Sequence, residues 1–178
     1  MIGNDIVDLK LAQKQSNWQR KGWLQKIFTL REQEQIQLAK QPELEVWKLW
    51  SRKEAAYKVH QRRFNLQPKY NPKSLECVDH LVQIDDSVYN CETQLTDDWV
   101  YSIATSSSKN PISKVFDHNR VRDELKLWFS DFLSIPESSC SIVKNLNRIP
   151  LLRTENGSEF SNFSITHHGD FSAFSIDL

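Results

Sequence analysis

The chain is short of cysteine, glycine and proline, and each scarcity excludes something. Its 178 residues hold three cysteines (Cys77, Cys91, Cys140), an odd number, with no Cys-x-x-Cys pair and no histidine at zinc-ligand spacing. A disulfide framework and a structural zinc site are both disfavoured. Four glycines and six prolines are too few for a disordered or fibrous chain. No apolar run approaches the roughly 20 residues of a membrane span. The opening segment, MIGNDIVDLK, has neither a basic n-region nor a long apolar h-region, so no signal peptide is expected. Net charge is also missing: 23 basic residues balance 23 acidic ones, which argues against bulk attraction to nucleic acid or to a membrane. There is no Walker A, G-x-G-x-x-G or G-x-S-x-G motif, so a P-loop enzyme and a Rossmann dehydrogenase are excluded and no nucleophile elbow is found. The expectation is a soluble protein of a reduced, cytoplasmic setting.

What is present is ordinary in bulk and ordered along the chain. Apolar residues make up 39% and charged residues 26%, and a chain of this size buries roughly two-thirds of its unfolded surface without a staple. Charge falls into blocks. Leu9 to Arg31 has six basic residues and no acid. Arg52 to Lys73 has seven basic residues and one acid, Glu54. Ser74 to Ser108 has seven acids and no Lys or Arg. Such blocks are either solvated faces of different elements or one face that meets an acidic or phosphorylated partner.

The pattern predicts an α+β protein in two halves, residues 1–108 and 109–178. Residues 2–9 read as a buried strand running to an exposed turn. Thr29 and Glu32 have capping-box spacing, so a helix starts there. A second helix runs from Pro42 in its first turn to about Arg63, with an apolar stripe of Val46, Leu49, Trp50 and Ala56. Strands follow over 75–84, 87–93 and 98–105, and a polar linker over Thr105–Pro111. A helix over 114–133 and strands over 139–144, 149–152, 160–166 and 171–177 complete the chain. No internal repeat is visible in the sequence.

Three short segments can carry chemistry. Gly3-Asn4-Asp5 ends the first strand, where a glycine permits a turn or a close approach and Asp5 projects; taken in isolation, a G-x-D of this kind is better read as a turn aspartate bonding its own backbone. In Trp50-Ser51-Arg52-Lys53-Glu54-Ala55-Ala56-Tyr57-Lys58, Glu54 and Lys58 share a helix face. A surface pair of this spacing is common, but Trp47 and Trp50 begin the same face, and a carboxylate there wants a cation or a metal. In Phe163-Ser164-Ile165-Thr166-His167-His168-Gly169-Asp170, two adjacent histidines point to opposite faces and cannot both ligate one metal. His167 is the better candidate for a phosphate or substrate, and His168 reads as a satisfied turn residue. Asp5, Glu54, Lys58, Arg148 and His167 together suit a Mg²⁺–phosphate site, because Mg²⁺ takes one or two carboxylates plus substrate phosphate oxygens.

These motifs resemble those of the 4′-phosphopantetheinyl transferases. That family carries G-x-D near a strand end and W/F-x-x-K-E-A-x-x-K on a helix about 45 residues later. Gly3-Asn4-Asp5 and Trp50 to Lys58 match both, with 49 residues from Asp5 to Glu54. Ile27-Phe28-Thr29-Leu30-Arg31-Glu32 resembles the F-T-x-x-E helix start of the short holo-acyl-carrier-protein synthases. Asn147-Arg148-Ile149-Pro150-Leu151 and Phe163 to Asp170 resemble the G-K/R-P-x-L and F-N-I-S-H-S-G-D stretch of the larger two-lobed members. There that stretch precedes G-x-D; here it ends the chain.

The resemblance implies two pseudo-symmetric lobes in swapped order, as in a circular permutation, and a complete site in a monomer. A single-lobed chain with a long insertion, its site shared in a trimer, is the alternative. It further implies Mg²⁺ on Asp5 and Glu54, Lys58 on the pyrophosphate of coenzyme A, and His167 and Arg148 on its phosphates. Asp8 is a weaker candidate. Val7 stands where many two-lobed members have a further acid, and Thr166 where they have serine. The implied reaction moves 4′-phosphopantetheine from coenzyme A to a serine of an acyl or peptidyl carrier protein, as in fatty acid biosynthesis, with Glu54 or a water taking the serine proton. The acid-free Leu9–Arg31 block, with Trp18 and Trp23, is the implied docking surface. A relative that only binds coenzyme A and the carrier is the competing function.

Overall fold

A computed structural model describes residues 1–106 and 111–177. Most of the expected linker, and the expected boundary between the halves, lie outside the described residues. The first half builds an antiparallel five-stranded sheet in the order β1-β5-β4-β3-β2. Its strands are β1 (Ile2–Asp8), β2 (Leu75–Val78), β3 (Leu81–Ile84), β4 (Ser87–Leu95) and β5 (Trp99–Thr105). Between β1 and β2 run four helices, α1 (Leu9–Gln15), α2 (Trp23–Ile27), α3 (Leu30–Leu38) and α4 (Pro42–Phe64). The expected strand over 75–84 is two strands, because Asp79 adopts a left-handed conformation and turns the chain back. No helix among the described residues is long and apolar enough to cross a membrane, and all three cysteines are free and buried.

The second half contains two three-stranded sheets and one helix. β6 (Ile112–Phe116), β10 (Phe163–His168) and β11 (Phe171–Ile176) pair in the order β10-β11-β6. β7 (Cys140–Lys144), β8 (Pro150–Thr154) and β9 (Glu159–Phe160) pair in chain order, and α5 (Val121–Leu133) packs between the sheets. The helix expected over 114–133 is therefore too long. Lys114, Val115 and Phe116 pair with Phe174, Ala173 and Ser172 of β11 instead, and only Val121 onward is helical. Val115 fits a helical period by chance, while the alternation of period two wins through sheet pairing.

β1 also departs from expectation. It does not end in an exposed turn: all seven of its residues are buried, and Asp5 lies at its middle. One edge pairs with β5. At the other edge the outward amides meet side chains of β10. Asn4 N–H donates to Ser164 Oγ (3.1 Å), Ile6 N–H to Thr166 Oγ1 (3.3 Å), and Asp8 N–H to His168 Nδ1 (2.9 Å). An open strand edge is thereby satisfied without a backbone ladder. α4 crosses the same strand closely. A Cβ on Gly3 would collide with the Ala55 carbonyl and the Val59 amide. The glycine is there for close approach.

α3 starts at the expected capping box. Thr29 N–H donates to Glu32 Oε2 (2.8 Å) and Glu32 N–H to Thr29 Oγ1 (3.4 Å). Glu32 is fully buried and does more. It pairs with the equally buried Lys53 at 2.6 Å and accepts from Cys77 N–H at 2.8 Å. Lys53 donates further to the carbonyls of Ile27 (3.1 Å) and Pro72 (2.8 Å) and lies over the Phe28 ring. One ion pair thus joins α2, α3, α4, β2 and the segment just before β2.

Lys53→Met is expected to cost about 3–5 kcal/mol, since it strands Glu32 as an unpaired buried charge. The exposed Lys21→Met should stay within about 0.5 kcal/mol. Urea unfolding of both variants checks this; a Lys53 variant as stable as the Lys21 variant would show that the pair holds nothing together.

Candidate functional site

α4 presents Trp47, Trp50, Glu54, Lys58 and Arg62 at steps of three and four residues, one stripe along a helix. That stripe lies over β1. Ser51 Oγ donates to the Asp5 carbonyl (3.1 Å), and Lys58 Nζ donates to the Asn4 carbonyl (2.7 Å) and reaches Asp5 Oδ1 at 3.4 Å. Thr166 of β10 donates to the same Oδ1 at 3.3 Å. Asp5 is thus approached from the helix on one side and from β10 on the other.

The electrostatics mark the two acids. Burial is the main force raising the Asp5 carboxyl above its ordinary value, with Lys58 opposing it. Glu54 is pushed up to about 7, first by burial and then by the charge of Asp5, again against Lys58. Glu54 has no hydrogen-bond or ion-pair partner among the described residues. Two carboxylates that repel each other with one shared lysine are under-neutralised. Among the described residues no group of three or more His, Cys, Asp and Glu gathers at metal-ligand distance. Two hard oxygen donors are nonetheless what a Mg²⁺ ion takes from a protein when substrate oxygens and water supply the rest.

Asp5, Glu54 and Lys58 line a cavity of ≈ 560 Å³ to which Val7, Trp23, Trp47 and Trp50 give an apolar, aromatic side. Val7 follows Asp5 by two residues and so faces the same way. A second cavity of ≈ 430 Å³ adjoins it and is lined by Arg62, Arg120, Arg122, Lys144 and Arg148, with Asp123 as its acid. Lys58, Ile165 and His167 line both. A carboxylate chamber therefore opens onto a cationic one. Arg62 belongs to the second: burial lowers its guanidinium to about 10, still charged at neutrality, and its buried Nε has no partner.

All five residues singled out in the sequence, Asp5, Glu54, Lys58, His167 and Arg148, line this double cavity. Asp8 does not. Its carboxylate caps α1, accepting from Leu11 N–H (2.9 Å), and also accepts from Asp170 N–H (3.2 Å). Burial opposes its charge, but these amides and nearby His168 hold it below its ordinary value. His168 also lines the first cavity, and its bond from Asp8 N–H fixes Nδ1 as an acceptor. The cationic residues Arg62, Arg120, Arg122 and Lys144 were not foreseen. Arg62 could have been found, lying four residues beyond Lys58 on the same stripe. Arg120 and Arg122 stand together at the start of α5 and Lys144 ends β7, and no local sequence pattern ties them to the α4 stripe.

A family model described as the 4′-phosphopantetheinyl transferase superfamily matches residues 1–120. The chain belongs to that superfamily. No match was found among curated proteins or among solved structures. The matched span carries β1, α4 and the five-stranded sheet, and so both carboxylates and Lys58. His167 and Arg148 lie outside it. The chain is a transferase of the phosphopantetheinyl kind.

The charged form of Glu54 is the one that burial and Asp5 penalise. The metal-free protein therefore loses stability as pH rises from the ordinary glutamate range through about 7. Glu54→Gln should raise its unfolding free energy at about pH 8 by on the order of 2 kcal/mol and flatten the slope below it. Urea unfolding at about pH 5.5 and about pH 8 reads both, and a variant no more stable than wild type at the higher pH would remove the repulsion.

Proposed function

We propose that the protein transfers 4′-phosphopantetheine from coenzyme A to a serine of an acyl or peptidyl carrier protein, with Mg²⁺ held by Asp5 and Glu54. The observation that carries this reading is the joining of an under-neutralised carboxylate pair to a cationic cavity through Lys58 and His167. A nucleotide with a pyrophosphate and a third phosphate suits the cationic chamber, and the pantetheine arm suits the aromatic one.

When bound, Mg²⁺ supplies charge neutralisation at the pyrophosphate oxygens. Lys58 and Arg62 add positive charge beside the bond that breaks, and His167 and Arg148 hold the nucleotide phosphates. Glu54 accepts the proton of the incoming serine at a carboxylate oxygen. The serine Oγ–phosphorus bond forms, the phosphorus–oxygen bond within the pyrophosphate breaks, and its electron pair leaves with 3′,5′-ADP. Positioning and electrostatics do this work without a covalent intermediate.

The carrier docks on the segment from α1 to α2. Lys14, Arg20, Lys21 and Lys26 are exposed there, beside Gln15, Ser16, Trp23 and Ile27 at the cavity. A basic rim around an aromatic pocket complements an acidic partner. The two halves correspond to the lobes of two-lobed members in exchanged order, with a complete site in one chain. One observation supports this: β10 supplies Thr166 and His167 to the site of the first half.

Intact-mass spectrometry of an apo carrier panel with coenzyme A and Mg²⁺ tests the reading. One phosphopantetheine unit should be gained, and the rate should fall by about a hundredfold or more in Asp5→Ala, in Glu54→Ala and under chelation. Arg148→Ala should raise KM for coenzyme A by about tenfold. Retained coenzyme A binding with no gain on any carrier would favour the binding-only relative. Turnover indifferent to chelation would remove the metal.

A further inference from the structure

Five non-glycine residues among those described have positive φ: Asn65, Asp79, Asp85, Ser134 and Arg148. Four are the short polar types that tolerate this region. Arg148, at φ 59°, is not. A long side chain is held in a left-handed turn at the rim of the cationic cavity. Strain of this kind persists where surrounding structure over-determines it.

The surroundings are built from amides. Asn145 Oδ1 accepts from the Asn147 and Ile149 amides (2.9 and 3.0 Å), and the Asn145 carbonyl accepts from Arg148 N–H (2.9 Å). Asn147 is bonded at every polar atom. Its Nδ2 donates to the carbonyl and to Oδ1 of Asn65 (2.6 and 2.8 Å), its carbonyl accepts from Gln61 Nε2 (3.0 Å), and its Oδ1 accepts from Gln67. Asn65 is the left-handed residue that closes α4. The loop that carries Arg148 is thus bolted to the end of the helix that carries Lys58 and Arg62.

We propose that Asn147 is a positioning residue: it holds Arg148 across the cationic cavity from Lys58 and Arg62, so that three cations from two elements meet the phosphates of the nucleotide co-substrate at fixed spacing. The inference rests on the reading of that cavity as the coenzyme A phosphate site. Asn147 touches no substrate and acts through Arg148. Its loss should cost affinity and leave the chemical step alone.

Calorimetric titration with 3′,5′-ADP and steady-state kinetics with coenzyme A test this on Asn147→Ala, Arg148→Ala and the double variant. Asn147→Ala should weaken 3′,5′-ADP binding and raise KM for coenzyme A by about fivefold each, with kcat within about twofold. The double variant should bind no more weakly than Arg148→Ala, because two residues acting as one unit are not additive. If Asn147→Ala does not fold, Asn65→Gly keeps the left-handed helix end, removes the side-chain acceptor of Asn147 Nδ2, and should weaken binding in the same sense. Losses that multiply in the double variant, or unchanged affinity in Asn147→Ala beside weakened affinity in Arg148→Ala, overturn the positioning role alone. Unchanged affinity in Arg148→Ala overturns the phosphate reading of Arg148 and this inference with it.

Discussion

The structure depends on how one strand is finished at its second edge. β1 is bonded to β5 through its backbone and to β10 through side chains, with Ser164, Thr166 and His168 taking the amides of residues 4, 6 and 8. Side chains of β10 thus take these three amides in place of a backbone ladder and leave none of them unpaired. Thr166 does both jobs, accepting from Ile6 N–H and donating to Asp5. The seam between the halves and the floor of the cavity are therefore the same set of atoms.

Neighbouring residues of one motif divide the remaining labour. Lys53 and Glu54 are adjacent on α4 and diverge by about a hundred degrees around its axis. Lys53 turns into the core, fully buried against Glu32. Glu54 turns toward the cavity, where burial and then the charge of Asp5 push its carboxyl up to about 7, and it has no hydrogen-bond or ion-pair partner among the described residues. The same helix turn thus contains a satisfied buried charge and an unsatisfied one. Stability is conceded at the second, as is usual where a site must bind something charged.

What was legible followed from short-range spacing. The capping box at Thr29, the proline start of α4 and the stripe of Glu54 and Lys58 are periodic or local features, and they stand where the pattern places them. Gly3-Asn4-Asp5 was read as a candidate at a strand end, but its place in the middle of a fully buried strand was not legible, because the seven residues do not show where a helix will cross them. The last three residues of β6, 114–116, were read as helix because their pairing partner, β11, lies about sixty residues away. Asp8 resembled a metal ligand in sequence and is a helix cap in space. The cationic chamber draws on α4, the start of α5, the end of β7 and the loop after it. No window along the chain contains it.

The aromatic wall has an optical consequence. Three of the six tryptophans, Trp23, Trp47 and Trp50, line the chamber that holds the carboxylates, and Trp23 and Trp47 stand edge-to-face at 6.0 Å. The others sit elsewhere, Trp128 for instance stacked on Phe132 at 5.0 Å. Indole emission follows the polarity around the ring, so water leaving the chamber shifts the light from half of the emitters and leaves the rest as an internal reference. The protein carries its own fluorescent gauge of whether that chamber is filled.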